Sequence, residues 1–200
     1  MKFLRKIILI LLLIIILLIG IRYIAKQFYP MKYQDYVMKY SKAYEVDPFF
    51  IYAVIKAESN FKESALSSKG ASGLMQITPS TARWAADVMG KTEYTDDILF
   101  RPEFNIEMGC WYINNLRNEF GNNNKLILAA YNGGRGNVKK WLSNKAYSKD
   151  GKNLDNIPFG ETDKYIKKVE VNYNIYKYLY CNDKSLISLV EEILEIYFKL

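Results

Sequence analysis

The sequence of 200 residues contains no histidine. Without that side chain, the Ser-His and Cys-His pairs that activate nucleophiles are excluded, and so are the zinc sites that enzymes usually build with histidine. Amidases and endopeptidases of those kinds are therefore excluded. We expect no metal site and no cofactor.

Cysteine is also scarce. Cys110 and Cys181 are too few and too far apart in the sequence to form a metal cluster. Outside the cytoplasm the two residues can form one disulfide, and two buried free thiols are an equally good interpretation. The sequence leaves both alternatives open.

A strong excess of charge is lacking as well. The net charge is +7, but Lys2, Arg5, Lys6 and Arg22 flank an apolar run near the N-terminus. Without these four, 24 of the 28 basic residues remain against 21 acidic residues, and the two signs are mostly interspersed. Because nucleic-acid binding requires clustered basic residues, we expect no nucleic acid as a partner.

The longest apolar run covers residues 7–21, IILILLLIIILLIGI. The segment that follows, RYIAKQFYP, has no pair of small residues suited to a signal-peptidase site and no cysteine that could accept a lipid. We therefore predict an uncleaved signal-anchor over residues 1–26, with Arg22, Tyr23 and Lys26 at the membrane interface. The basic residues before the run predict a single-pass topology in the cell membrane, with the remaining chain on the extracytoplasmic side.

The remaining chain is predicted to be all-α, because apolar residues recur at helical spacing and no alternating strand pattern occurs. Asp47-Pro48 and Thr78-Pro79 are typical helix starts, with an N-cap residue followed by proline. A glycine-rich loop is predicted over residues 132–136. The predicted helices cover residues 33–44, 48–59, 79–89, 102–120, 125–131, 137–142, 161–180 and 185–200.

Two boundaries follow from this organisation. Residues 27–182 are predicted to form one domain after the anchor at 1–26. Residues 183–200 are predicted to form an additional apolar helix, which packs on the domain or contacts the membrane or a partner.

The first candidate functional residue is Glu58. It lies at the end of an apolar helical run and shares a helix face with Ile51 and Ile55. A glutamate at a helix end is most often a solvated charge. Its place on the apolar face, followed by a turn rather than by more helix, indicates instead a carboxyl group held beside a groove.

The segment after it, GASGLMQIT, supports this interpretation. Gly70 and Gly73 permit a close approach of the backbone. Gln76 stands among apolar residues, where an unpaired buried amide would cost free energy. We therefore expect the Gln76 side chain to face a site.

Four motifs in this order resemble the lytic transglycosylase domain of the soluble-lytic-transglycosylase type, a relative of goose-type lysozyme. The resemblance covers residues 33–180 and implies a lysozyme-like fold of packed helices with a substrate groove. The motifs are Glu58-Ser59, Gly70-Ala-Ser-Gly-Leu-Met-Gln76, Ala130-Tyr-Asn-Gly-Gly134, and Glu161-Thr162 with Tyr165.

The resemblance implies a role for seven residues. Glu58 matches the single catalytic acid/base. Thr78 stands where this family often has methionine, and we interpret it as a helix cap. The matches to substrate-binding residues are Ser67, the groove-lining pair Met75 and Gln76, the pair Tyr131 and Asn132 beside the carboxyl group, and Tyr165 on a later helix.

The implied activity is cleavage of the MurNAc-GlcNAc β-1,4 bond of peptidoglycan with formation of 1,6-anhydro-MurNAc ends. Most glycosidases need two carboxyl groups, and near Glu58 in the sequence only Glu63 offers itself. One carboxyl group suffices if the N-acetyl group and the 6-hydroxyl of the substrate act as nucleophiles. An apolar groove would then raise the pKa of Glu58, so that it is protonated near neutral pH.

Two alternatives stay open at this point. One is a muramidase of the same fold that uses water, which a second carboxylate across the groove would favour. The other is a non-catalytic wall-binding module. The expected partners are peptidoglycan glycan strands, and the membrane through the N-terminal helix.

Overall fold

The computed structural model describes residues 2–91 and 94–181, and within these residues the fold is helical. The only extended pairings there are two isolated bridges, Leu66–Ser72 and Ser72–Ile77. The predicted all-α class is confirmed. The helices are α1 (Lys2–Phe28), α2 (Gln34–Ala43), α3 (Pro48–Glu58), α4 (Pro79–Val88), α5 (Pro102–Phe120), α6 (Asn124–Gly133), α7 (Arg135–Leu142) and α8 (Gly160–Cys181).

Local capping chemistry explains where α3 and α4 begin. The Asp47 side chain accepts a hydrogen bond from the backbone N–H of Phe49 (2.8 Å). Thr78 accepts one from the N–H of Thr81 (3.3 Å). In both helices proline occupies the first turn, where its missing N–H costs nothing. Both helix starts lie where the sequence predicts them.

Helix α3 forms the core of the part of the chain that carries the site. Residues 50–55 are all buried, so the helix is enclosed on every side. A helix that is apolar all round belongs in a protein interior. Helix α5 contacts α2, α4 and α6, and α2 contacts α3. The last residue of α3 is Glu58, which this packing carries to the edge of the core.

Two segments outside the predicted helices contain more helix than expected. Residues 91–101 include a 3₁₀ helix, Asp96–Phe100. The glycine-rich loop predicted over residues 132–136 is wrong, because α6 extends through Gly133 and α7 begins at Arg135. Gly134 alone separates the two helices, with a φ of 88° that favours glycine.

The chain divides into two compact units. Among the described residues, one unit consists of residues 31–173, and the other combines residues 2–30 with residues 174–181. The predicted boundaries at 26/27 and 182/183 stay predictions. The additional helix predicted over residues 185–200 lies outside the described residues.

Helix α1 is long and apolar enough to cross a membrane over residues 6–28, a stretch of 23 residues in which an 18-residue segment has a mean hydropathy of 3.2. The criterion is one of length and composition. Many of its apolar side chains are exposed, for example Leu13 at 65 % and Ile16 at 64 %. An apolar surface of this extent suits lipid better than water.

Both cysteines are free thiols. Cys110 in α5 is buried, and burial raises the pKa of its thiol. Cys181 at the end of α8 is exposed. The disulfide alternative is therefore not realised in this structure, and the alternative of two buried thiols is wrong for Cys181.

Candidate functional site

A cavity of about 580 Å³ opens at the end of α3. Three parts of the chain form its wall: the segment between α3 and α4, the junction of α6 and α7, and the start of α8. The predicted site residues that line it are Glu58, Ser67, Gln76, Tyr131 and Asn132. Residues far apart in the sequence are thus brought together around one carboxyl group.

The carboxyl group of Glu58 is largely removed from water. This desolvation raises the pKa of Glu58 from the ordinary value of 4.5 to about 7. The Tyr165 hydroxyl and the positive charge of Lys168 oppose the shift. At neutral pH the protonated and ionised forms of Glu58 therefore coexist. A group that first gives a proton and later takes one back needs this balance.

Two tyrosine hydroxyls stand near this carboxyl group. Burial, and next the negative charge of Glu58, raise the pKa of Tyr131 and Tyr165 well above 10. The Tyr131 hydroxyl donates to the backbone oxygen of Met75 (2.7 Å). Both phenols stay protonated across the physiological range and can donate hydrogen bonds.

Tyr165 occupies a different place from the one expected of a substrate contact. Its side chain is buried and is not part of the cavity wall. Its hydroxyl interacts with Glu58, although it makes no hydrogen bond of ordinary geometry. Tyr165 therefore affects the site through the carboxyl group of Glu58. Its buried position outside the cavity wall does not match the direct contact with substrate that the resemblance predicts.

The segment between α3 and α4 forms one side of the cavity and is held in an unusual conformation. Gln76 has a φ of +49°, in the left-handed region that non-glycine residues rarely adopt. Its amide Nε2 donates to the backbone oxygens of Ala65 (3.0 Å) and Gly73 (2.9 Å). Because the amide nitrogen is used within the segment, the amide oxygen is the atom of Gln76 that can serve a ligand.

Ser67 lies in the same segment. Its hydroxyl oxygen accepts a hydrogen bond from the backbone N–H of Ala71 (3.0 Å). The hydroxyl proton can still be donated to a ligand in the cavity.

Asn105 of α5, which no sequence motif singles out, anchors this segment. It is completely buried, and its Oδ1 accepts from the N–H of Met75 (2.7 Å). Its Nδ2 donates to the backbone oxygens of Ser72 (2.9 Å) and Leu99 (2.8 Å). At Gly73 a Cβ atom would lie 2.4 Å from Asn105 Nδ2. The same Cβ atom would lie 2.3 Å from the backbone oxygen of Leu99, and the φ of Gly73 is +78°, so both space and backbone conformation favour glycine there.

The prediction that the Met75 side chain lines the groove is wrong. The side chain is completely buried and packs against Gly109 of α5, where a Cβ atom would lie 2.2 Å from the sulfur. A flexible thioether fills such a gap between helix and loop well. Met75 contributes to the site through its backbone, since its carbonyl oxygen accepts the hydrogen bond of Tyr131.

Asn132 is exposed to the cavity and is held from the opposite side by Thr162. The buried Thr162 hydroxyl donates to Asn132 Oδ1 (2.8 Å). This bond leaves the amide NH₂ group of Asn132 to donate to a ligand. A Cβ atom on Gly133 would lie 3.0 Å from Thr162 Oγ1, so glycine allows the close approach of α6 and α8. Thr162 belongs to one of the four motifs, but the motif alone assigns it no role.

A second carboxylate, Glu161, lines the same cavity and is exposed. It does not contribute to the pKa shift of Glu58, which among the described residues comes from desolvation, Tyr165 and Lys168. Glu63, the nearest carboxylate in the sequence, lies outside the cavity wall and accepts a hydrogen bond from the Tyr33 hydroxyl. Glu58 is thus the carboxyl group of the cavity wall whose pKa desolvation raises towards neutrality.

The cavity continues into a second one of about 260 Å³, to which Thr81 and Tyr112 contribute. The Tyr112 ring lies 5.4 Å from that of Tyr131 and 6.3 Å from that of Trp84. The result is an elongated groove with aromatic and hydroxyl groups along its wall. Such a shape suits a polymeric ligand. Both cavities share Gln76, Thr78, Tyr131, Asn132 and Gly133.

Lys168 of α8 provides a test of what sets the pKa of Glu58. Its Nζ donates to the backbone oxygen of Ala57 (2.6 Å), at the C-terminal end of α3. Because its positive charge favours the ionised carboxylate, we expect Lys168→Met to raise the pKa of Glu58 further. A pH titration of the ¹³C-labelled Glu58 carboxyl group by NMR measures this shift.

The control variants separate charge from packing. Lys168→Arg keeps the charge and a donor, and should return the pKa of Glu58 close to that of the original protein. Lys164→Met removes an exposed lysine from the same helix, and should leave the pKa of Glu58 unchanged. An unshifted pKa in Lys168→Met would show that this charge does not act on Glu58.

Comparison with protein families gives a match over residues 35–154 to the model of the transglycosylase SLT domain. Among curated proteins, the soluble lytic murein transglycosylase of Escherichia coli strain K12 is 34 % identical over 165 residues, 82 % of this chain and 26 % of the relative. The membrane-bound lytic murein transglycosylase C of Edwardsiella ictaluri is 37 % identical over 123 residues, 56 % of this chain and 34 % of the relative. The chain thus spans about a quarter to a third of the length of these relatives.

Solved structures share the fold. The crystal structure of the 70 kDa soluble lytic transglycosylase from Escherichia coli superposes with a TM-score of 0.69 and 33 % identity, over 76 % of this chain and 25 % of that one. An inactive mutant of the lytic transglycosylase Slt from Pseudomonas aeruginosa gives a TM-score of 0.66 and 30 % identity, over 75 % and 24 %. The helical fold described above is therefore shared with these two lytic transglycosylases.

Proposed function

This chain belongs to the family of the transglycosylase SLT domain, and from that membership we propose that it is a peptidoglycan lytic transglycosylase whose single acid–base group is Glu58. One observation carries the proposal. Glu58 lies in an elongated groove, and desolvation raises its pKa to about 7. A glutamate of this kind can act as an acid at the pH of the cell envelope.

The first step requires protonated Glu58. It gives its proton to the glycosidic oxygen between MurNAc and GlcNAc, and the bond from that oxygen to C1 of MurNAc breaks. The carbonyl oxygen of the substrate's own N-acetyl group forms a bond to C1. The attack comes from the substrate, so no second carboxyl group is needed as a nucleophile.

The second step uses the ionised form of Glu58. It takes the proton from the 6-hydroxyl of MurNAc, whose oxygen bonds to C1 while the bond from the acetamido oxygen breaks. The product is a 1,6-anhydro-MurNAc end, and Glu58 regains its proton. No water enters the balance.

The residues around Glu58 suit these two steps. The Asn132 amide, fixed by Thr162, can donate to the N-acetyl group and orient it. Ser67 and the amide oxygen of Gln76 can bind hydroxyl or amide groups of the sugars. Tyr131 stabilises the segment that carries Gln76 through its bond to Met75.

We further propose that α1 anchors the chain in the cell membrane as a single span, with the groove on the extracytoplasmic side. The apolar run in α1, the basic residues before it and the membrane-bound relatives support this location. The proposed partners are peptidoglycan glycan strands and the lipid bilayer.

The test is mass spectrometry of the fragments that the full chain, in detergent micelles, releases from purified peptidoglycan. We expect fragments with 1,6-anhydro-MurNAc ends. Fragments with reducing ends instead of anhydro ends would favour a muramidase. The exposed carboxylate of Glu161, which lines the same cavity, is the observation that supports this alternative. That alternative predicts reducing ends, whose formation is lost in Glu161→Gln.

A wall-binding module gives a third outcome. Such a protein would sediment with peptidoglycan and release nothing from it. Sedimentation with peptidoglycan, without release of fragments, would therefore show that the protein binds the wall but does not cleave it.

A further inference from the structure

The C-terminal end of α8 is tied by several contacts to the end of α1 and to the two residues that follow it. The Tyr176 hydroxyl donates to the backbone oxygen of Pro30 (3.1 Å), and the Tyr180 hydroxyl to that of Tyr29 (2.7 Å). About two turns before Tyr29, in α1, the guanidinium of Arg22 donates to the backbone oxygen of Leu179. Residues 176–180 of α8 thus contact residues 22–30, at the end of α1 and just beyond it.

Ring contacts reinforce the same pairing. Lys26 Nζ lies 4.9 Å from the centre of the Tyr180 ring, and the guanidinium of Arg22 lies 5.7 Å from that of Tyr178. Such cation–π contacts gain strength where water is scarce. We call Tyr29, Tyr176, Tyr178 and Tyr180 the tyrosine cluster.

The position of Arg22 indicates the depth of the tyrosine cluster relative to the bilayer. Arg22 is the first charged residue after the apolar run of residues 7–21. If α1 spans the bilayer, as proposed above, its arginine and Lys26 lie at the interface, because charged side chains are driven out of the hydrocarbon. The residues of α8 that contact Arg22 and Lys26 then lie at the same depth.

The side chains at the C-terminal end of α8 have the chemistry typical of a membrane–water interface. Tyrosine has an apolar ring and a polar tip, and it concentrates where the bilayer meets water. Tyr178 is 63 % exposed although it is a large aromatic residue. Headgroups of phospholipids can accept hydrogen bonds from its hydroxyl while the acyl boundary takes the ring.

From these contacts we propose that the last six residues of α8, residues 176–181, are a second membrane contact of this chain at the level of the phospholipid headgroups. The proposal rests on the membrane span of α1. It adds the end of α8 to the membrane contact that α1 makes.

Cys181 allows a direct test. It is exposed, whereas Cys110 is buried, so a nitroxide reagent labels Cys181 selectively. The full chain is reconstituted into vesicles of phosphatidylethanolamine and phosphatidylglycerol, and collisions of the label with oxygen and with a water-soluble nickel chelate are measured. We expect collisions with nickel to be several-fold rarer than for a label in water.

Two reference labels in a Cys181→Ser background give the scale. Lys152→Cys, in an exposed loop, reports water, and Leu13→Cys, in the middle of the apolar run, reports the bilayer centre. An intermediate depth for Cys181 supports the proposal. A Cys181 label that collides like Lys152→Cys overturns the second contact alone, whereas a water-accessible Leu13→Cys overturns the span as well. A label as deep as Leu13→Cys contradicts the headgroup level.

A matched pair of variants tests the role of the exposed tyrosine. Tyr178→Ser should make a nitroxide on Cys181 more accessible to the nickel chelate. Val171→Ser changes a residue on the same helix that is similarly exposed, at 56 %, and should leave the accessibility unchanged. Equal effects of both substitutions would count against a specific contact of Tyr178 with lipid.

Discussion

Glu58→Gln is expected to lower the rate of glycan cleavage by about 10²–10⁴-fold, the usual contribution of general acid–base catalysis. Glutamine has nearly the same shape but can neither give nor take the proton in the two proposed steps. The measurement is the rate at which 1,6-anhydro-MurNAc ends appear on purified peptidoglycan. Retention of more than a tenth of the rate would show that another group supplies the proton.

The same substitution should leave the protein folded, and its stability supplies an internal control. The pKa of Glu58 is raised in the folded state to about 7. Ionisation therefore destabilises the folded protein progressively as the pH rises from about 4.5 to 7, by up to about 3 kcal/mol. Glutamine does not ionise, so Glu58→Gln should become the more stable protein above pH 7. Thermal unfolding at pH 5 and pH 8 measures the difference.

Asn105→Ala is expected to destabilise the folded protein more than any other substitution proposed above. Asn105 makes three hydrogen bonds while completely buried. Its removal leaves the N–H of Met75 and the carbonyl oxygens of Ser72 and Leu99 without this partner. With about 1 kcal/mol or more for each group, the cost is about 3–5 kcal/mol. Unfolding in urea, followed by circular dichroism, measures it.

Two further variants sharpen this prediction. Asn105→Asp keeps the acceptor for Met75 but places a second oxygen against two carbonyl oxygens, so it should not rescue stability. Asn122→Ala, which removes an exposed asparagine two residues after the end of α5, should change the free energy of unfolding by less than about 0.5 kcal/mol. A loss below 1 kcal/mol in Asn105→Ala would mean that the segment around Gln76 does not depend on this anchor.

Helix starts and the family were accessible from the sequence because local chemistry specifies them. Asp47-Pro48 and Thr78-Pro79 carry their own capping side chains, and the structure begins α3 and α4 there. The family resemblance, confirmed by the match over residues 35–154, rested on short motifs that are contiguous in the chain. Neither inference required knowledge of which helices pack together.

What the sequence could not provide depends on contacts between distant segments. Asn105 looks like any polar residue in an amphipathic helix, and only the approach of residues 72–75 gives it three partners. Met75 sits beside Gln76 in one motif, yet the packing of α5 through Gly109 draws its side chain into the core. The proposed catalytic role of Glu58 and the roles of the residues around it stay predictions until the variants above are measured.

The raised pKa of Glu58 predicts that catalysis and the binding of cationic inhibitors depend on pH in opposite directions. The proposed first step needs the protonated carboxyl group, so we expect turnover to decline as the pH rises through about 7. A cationic sugar mimic, such as one with a ring nitrogen in place of the ring oxygen, gains an ion pair when the same group ionises. Its inhibition constant should therefore improve with rising pH over the range in which catalysis fades, whereas a neutral mimic that accepts the Glu58 proton should bind best in mild acid.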